Sequence, residues 1–223
     1  MSIELTEEIR NFEFTSSMDF EIRKHYVEQL AFAVLRYCYN EYDSLILSDS
    51  PDLQSSDRSL GIEVTEVAIN KIKSIEGDFE KYRKKGKAHY LKQIENKGGL
   101  ATEFSYTTPG ITKQDELDAM KKIFQKKINK IPSYKQKGYI KLGLIMVMDE
   151  MPIPNTVLEW REHIYKIYSK AEYKYDIIFF TYHYALRVLD LTTGKDSCKK
   201  IDETDYDALR KYARLMAENT LSY

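Results

Sequence analysis

The apolar positions along this chain change period several times, and each change marks an element. From residue 19 to residue 41 they recur at helical spacing. Ile22, Tyr26, Leu30, Ala33 and Tyr37 form one stripe, and Val27, Ala31, Val34, Leu35 and Cys38 fill much of the rest. A helix apolar on so many sides is largely buried. A short apolar strand follows at 45–47. Then Leu60, Ile62 and Val64 alternate with Gly61, Glu63 and Thr65, the period of a half-buried strand. The stretch Gln54 to Ser59 between Asp52 and Glu63 is rich in turn formers, so the two segments read as arms of one hairpin.

A helix is expected to begin near Glu66, and its later part, Gly77 to Lys97, is charged enough to read as a solvated helix. Residues 98–111 read as a loop, punctuated by Gly98-Gly99 and Pro109-Gly110. Thr112 is placed to cap a helix running to about Ile131, with Asp115 in its first turn. Ile140 to Met148 is a continuous apolar run, expected in a strand covered on both faces. A further helix fits Asn155 to Ala171, after Pro152 and Pro154. Tyr175–Tyr182 and Ala185–Leu191 are two more strands, joined by a tight turn around His183-Tyr184, and a helix from Glu203 to about Asn219 closes the chain. Early antiparallel strands followed by helix-separated apolar strands predict an α/β fold: a mixed central sheet flanked by helices. No repeat, low-complexity tract or linker interrupts the 223 residues. Residues 1–223 are therefore expected to form a single domain, with 1–17 as a loosely attached N-terminal arm.

Composition adds limits rather than chemistry. Hydrophobic residues make up 43% and charged residues 31%, ordinary for a globular chain with its own core. The net charge is −1, so any contact with nucleic acid must come from local patches. No apolar run reaches the roughly 20 residues of a membrane span, and the acidic start, Met1 to Glu8, lacks the apolar core of a signal peptide. No membrane association is expected. The two cysteines, Cys38 and Cys198, with Cys38 expected in a buried helix, fit a reduced, cytoplasmic setting. There is no GxxxxGK[ST] loop, no GxSxG elbow, no paired CxxC and no metal-ligand spacing among His25, His89, His163 and His183. Nucleotide hydrolysis, serine hydrolysis and a structural zinc site are unsupported, and no motif favours a small-molecule enzyme.

The candidate chemistry lies in the hairpin. Its geometry would bring the carboxylates of Asp52 and Glu63 to one edge of the sheet, an arrangement suited to a hard divalent cation. The alternative is a turn aspartate after Pro51 and a solvent-facing glutamate, although glutamate between Ile62 and Val64 is poorly suited to a strand. Pro51-Asp52, the hairpin, and Glu63-Val64-Thr65 resemble the signature of the PD-(D/E)XK nuclease superfamily, the restriction-endonuclease-like fold. In that signature a Pro-Asp pair is followed on the next strand by an acid, any residue and Lys; Thr65 stands where the Lys belongs, as it is also missing from other branches. The order helix, short strands, helix, strand, helix, strand over roughly residues 19–190 resembles the same fold.

The resemblance implies a metal-dependent nuclease acting on DNA, with Mg²⁺ or Mn²⁺ held by Asp52, Glu63 and the Val64 carbonyl. Glu28 occupies the helix from which many members supply a further glutamate; the bland alternative is an exposed Glu paired with Lys24. The Thr65 hydroxyl could orient water, or simply serve as a β-branched strand residue. Lys127 interrupts the stripe Leu117, Met120, Phe124, Ile131 and could replace the missing lysine, with Lys130 one turn on; otherwise it snorkels at the stripe's edge. Lys71 and Lys73 are weaker candidates, and Glu66 is expected to open the next helix. The basic stretches 81–87 and 121–137, interleaved with Tyr82, Tyr90 and Tyr134, could follow a phosphate backbone and stack on bases. The rival reading is a catalytically degenerate nuclease-fold protein that binds nucleic acid or a protein partner. Oligomeric state is left open, a homodimer included.

Overall fold

The computed structural model describes residues 3–15, 18, 20–148, 156–182 and 184–220. In chain order its helices and strands are α1 (Glu7–Asn11), α2 (Phe20–Cys38), β1 (Ile46–Leu47), β2 (Leu53–Gln54), β3 (Leu60–Glu66), α3 (Asn70–Lys85), α4 (His89–Asn96), β4 (Leu100–Ala101) and β5 (Tyr106–Thr107). There follow α5 (Lys113–Ile128), α6 (Ile131–Gln136), β6 (Lys141–Val147), α7 (Thr156–Tyr168), β7 (Ile177–Tyr182), β8 (Ala185–Asp190), β9 (Lys195–Lys200) and α8 (Glu203–Thr220). Among the described residues the main sheet has seven strands in the order β1-β2-β3-β6-β7-β8-β9. Its centre, β3-β6-β7, is parallel; β1-β2-β3 on one side and β7-β8-β9 on the other are antiparallel. The expected α/β architecture, a mixed sheet flanked by helices, is present.

Strand periodicity divides the core into two layers. In β6, Ile145 and Val147 face α2 and α8, whereas Leu142, Leu144 and Met146 face α5, α6 and α7. In β7, Phe179 joins the first layer and Ile178 and Phe180 join the second. This double coverage is why β6 and β7 read as unbroken apolar runs. Helix α2 is buried around most of its girth, with Leu30, Ala33, Val34 and Leu35 fully enclosed, and packs against α8. The described part of the expected N-terminal arm lies along α8: Arg10 pairs with Asp205 at 2.6 Å, and Lys211 donates to the Arg10 carbonyl at 2.6 Å. No helix among the described residues is long and apolar enough to cross a membrane.

Several elements differ from expectation. The charged stretch Gly77 to Lys97 is not one solvated helix but two. Gly86, at φ +64° in the left-handed region, ends α3 by donating to the Tyr82 carbonyl at 2.7 Å, and α4 folds back. The pair encloses a small core of Ile75, Phe79 and Ile94, and the buried Asp78 is held by Lys97 and Lys81. The expected loop 98–111 contains the short β4-β5 ladder. Helix α3 begins at Asn70 rather than near Glu66, because β3 continues through Glu66. The helix from Lys113 stops at Ile128, and Ile131–Gln136 form a separate turn of helix. Strand β9, KDSCKK, has no apolar period; as an edge strand it is specified by pairing with β8 and by the Arg187–Asp196 ion pair. The expected helix start at Asn155 and the turn residue His183 lie outside the described residues.

Candidate functional site

Asp52 reaches the site because β2 is short. Leu53 and Gln54 pair with Ile62 and Gly61, and the ladder stops there. The next β3 amide on that edge, Val64 N–H, has no β2 carbonyl to meet and donates instead to Asp52 Oδ2 at 2.6 Å. The aspartate side chain thus takes the place of a missing rung, and its backbone carbonyl accepts from Ser48 N–H at 2.8 Å. Gly61 permits this close arrangement, since a Cβ there would lie 2.7 Å from Pro51 Cγ and 2.9 Å from the Tyr139 ring.

Glu63 follows from the strand period. Ile62 and Val64 point into the α2 layer, so Glu63 points to the opposite face, beside Leu144 and under α5 and α6. It is 1% exposed. A buried carboxylate must be paired and hydrogen-bonded to persist, and each oxygen is. Glu63 Oε1 accepts from Lys127 and, at 2.6 Å, from Lys130; Oε2 accepts from the Tyr134 hydroxyl. Lys127 Nζ also donates to the Val64 carbonyl at 2.9 Å. Lys127 therefore does not merely snorkel at the edge of a helix stripe: its ammonium sits between two of the oxygens expected to hold a cation.

All six site residues expected from the sequence, Glu28, Asp52, Glu63, Val64, Thr65 and Lys127, line one cavity of about 370 Å³. Lys73 and Lys130 line it too; Lys71 does not. Glu28 comes from α2 and pairs with Lys24 at 3.4 Å. Glu66 is misread in the sequence: it opens no helix but lines the same cavity, bound by Arg23 at 2.6 Å and by Lys73. Tyr134 is also misread, since at 1% exposure it cannot stack on bases and instead fixes Glu63. Arg23 was not anticipated; nothing in its helical context marks it as a partner of a strand residue. The phenol of Tyr134 left no sequence signal either, because its use depends on α6 folding back over β3.

The environments of the two carboxylates push them apart electrostatically. Burial, reinforced by the Glu63 charge, pushes the Asp52 pKa up to about 6, with the Val64 N–H and Lys127 pulling the other way. Burial also opposes ionisation of Glu63, but Lys127, Lys130 and Tyr134 outweigh it and hold the group below the ordinary glutamate value. Burial and the Glu63 hydrogen bond raise the Tyr134 pKa, so the phenol stays a donor. The pair therefore presents one firmly ionised carboxylate and one that takes up a proton near pH 6, a division seen where acid and base roles are separated.

Among the described residues, no group of three or more His, Cys, Asp or Glu side chains is placed to hold a metal ion. The cavity lining carries the carboxylates of Glu28, Asp49, Asp52, Glu63 and Glu66; Asp52, Glu63 and the Val64 carbonyl, the expected ligands, are hard donors of the kind Mg²⁺ and Mn²⁺ prefer. The Lys127 ammonium already occupies the space beside them, donating to Glu63 and the Val64 carbonyl at once. The donor chemistry fits a small divalent ion, on condition that Lys127 yields the position. The basic residues Arg23, Lys24, Lys73 and Lys130 line the same cavity, each ion-paired with one of its carboxylates. No family model matches the chain, and neither a curated protein nor a solved structure matches it.

Proposed function

We propose that this protein is a metal-dependent nuclease of the restriction-endonuclease-like fold that hydrolyses phosphodiester bonds in DNA. The observation that carries this reading is the convergence of Asp52, Glu63, the Val64 carbonyl and Lys127 on one cavity, with Glu28 on its wall. Asp52, Glu63 and the Val64 carbonyl are the groups that would hold Mg²⁺ or Mn²⁺. Such an ion supplies Lewis acidity and a more acidic water when bound.

The remaining chemistry belongs to the chain's own side chains. Tyr134 and Lys130 keep Glu63 ionised and fixed in a site that is otherwise apolar on that face. Lys127, displaced from Glu63, stays tethered by α5 at the cavity wall and can place its ammonium against the anionic transition state of phosphoryl displacement. It takes the role of the lysine that Thr65 replaces on β3. Lys24 and Lys73, ion-paired with Glu28 and Glu66 in this structure, would turn to the phosphate when it enters, and the Thr65 hydroxyl is available to orient water.

A second reading is favoured by one observation: Glu63 is already saturated by Lys127, Lys130 and Tyr134. On that reading the fold has kept the cavity but uses an internal ion pair in place of a metal, and serves as a binding module. Incubation with supercoiled plasmid and with single-stranded DNA, with Mg²⁺ or Mn²⁺, separates the two. Cleavage that Asp52→Ala and Glu63→Ala abolish supports the nuclease. DNA binding without cleavage under every metal condition supports the module.

A further inference from the structure

Between α5 and the C-terminal part of α7 lies a second and larger cavity, of about 870 Å³. One wall is the α5 face Lys121, Gln125, Ile128 and the other is the α7 face His163, Lys166, Ile167, each at helical spacing, continued by Lys170 in the turn after α7. Its floor is apolar, formed by Ile128, Pro132, Ile167 and Ala171; Tyr173 and one carboxylate, Glu172, which is hydrogen-bonded to the Tyr173 hydroxyl, complete the lining. Its basic groups differ from those of the first cavity. There Lys127 and Lys130 meet Glu63, and Lys73 meets Glu66. Here no ion pair among the described residues engages Lys121, Lys166 or Lys170. Three lysines against one carboxylate, beside an apolar floor, call for a ligand that is anionic along one edge and flat and apolar along another.

We infer that this groove binds a single strand of nucleic acid, with phosphates against Lys121, Lys166 and Lys170 and bases over the apolar floor and Tyr173. A simple anion would leave the floor unused, and a duplex hides its bases within the stack; an unpaired strand uses both parts. The groove and the site share no lining residue but adjoin at one turn of helix. Lys127 turns its ammonium to Glu63 while the adjoining Ile128 and Asn129 line the groove, and Tyr175 donates to the Lys127 carbonyl at 2.9 Å. A strand crossing the end of α5 meets both. This assignment rests on the nuclease reading and narrows its substrate to single-stranded or locally unpaired nucleic acid.

The test is fluorescence anisotropy with a labelled 20-nucleotide single strand in EDTA, where no cleavage occurs. Each lysine–phosphate contact to a single strand adds about 0.7 to the slope of log affinity against log salt. The exposed-face variant Lys121→Glu/Lys166→Glu/Lys170→Glu should therefore bind at least tenfold more weakly at low salt and lose about 2 from that slope. Tyr173→Ala should weaken binding about fivefold or more. Unchanged affinity and slope in the triple variant overturn the groove assignment. So does equal affinity of the parent for a duplex of the same sequence or for poly-glutamate. Hydrolysis of bis(p-nitrophenyl) phosphate with Mn²⁺, a substrate too small to span both cavities, is read in parallel. The triple variant should retain it. Loss of that activity in the parent counts against the nuclease reading alone, because anisotropy still decides the groove.

Discussion

Replacing Lys127 by methionine removes one charge and little volume, and it separates two consequences of opposite sign. The ammonium donates to Glu63 and, at 2.9 Å, to the Val64 carbonyl, and the side chain is 13% exposed. Deleting one partner of a fully buried ion pair costs roughly 3–5 kcal/mol, because the other charge is left uncompensated. Glu63 keeps Lys130 at 2.6 Å and Tyr134 after the substitution. The expected loss in metal-free buffer is therefore smaller, about 2 kcal/mol. Metal binding should move the other way. In the parent a divalent ion must first displace Lys127 from two of its three oxygens; in the variant those oxygens wait for it. A tenfold lower Kd for Mn²⁺, about 1.4 kcal/mol, is the expected scale. At saturating Mn²⁺ the variant should accordingly recover about 1.4 kcal/mol of its stability deficit through linkage. On the proposed nuclease reading, cleavage should still fall by about 10²–10³, since the anionic transition state loses its ammonium. Urea unfolding with EDTA and with Mn²⁺, Mn²⁺ titration calorimetry and a plasmid assay read the three quantities. Weaker Mn²⁺ binding in Lys127→Met than in the parent would refute the idea that lysine and metal compete for the same oxygens.

Three further outcomes follow from the site and its support. Asp52 holds its proton in the native state up to about pH 6, whereas its ordinary value is 3.8. The native state thus binds the extra proton between those limits, so this group's contribution to stability falls as pH rises through them and then levels off about 3 kcal/mol lower. Asp52→Asn keeps an acceptor for Val64 N–H and should be more stable than the parent by about 2–3 kcal/mol near pH 8 in EDTA, converging with it near pH 4; parallel urea midpoints across that range would exclude the effect. Tyr134→Phe leaves Glu63 Oε2 without its donor in a buried setting and should cost about 1–3 kcal/mol, with full stability at every pH as the contrary result. Gly61→Ala must push Pro51 or Tyr139 aside, both within 3 Å of the new methyl; a loss of about 1–3 kcal/mol and weaker Mn²⁺ binding are expected, and neutral behaviour in thermal melts would mean that the β2–β3 packing yields freely.

The sequence by itself determined the layers and most of the candidate site. Unbroken apolar runs at Leu142–Val147 and Ile177–Phe180 fixed two central strands covered on both faces, because each successive side chain must enter one layer or the other. The alternation around Ile62 and Val64 set Glu63 on the face opposite them, whereas the break in the α5 stripe left Lys127 either in the site or snorkelling at the stripe's edge, and the fold turns it inward. These are local periods, and local periods survive in one dimension. What the sequence could not carry was whatever depends on partners far away in the chain. Edge strand β9 has no apolar period and exists through pairing with β8. The turn back at Gly86 follows from a left-handed residue and a three-residue core contributed by two helices. Glu66 looked like a helix opener until Arg23 and Lys73 met it, and Tyr134 looked like a surface aromatic until α6 set it over Glu63. Only the tertiary structure decided that the Lys127 ammonium would occupy the space between Glu63 and the Val64 carbonyl. That position is set by the packing of α5 across β3 and β6, since a buried carboxylate recruits whichever cation the fold brings within reach.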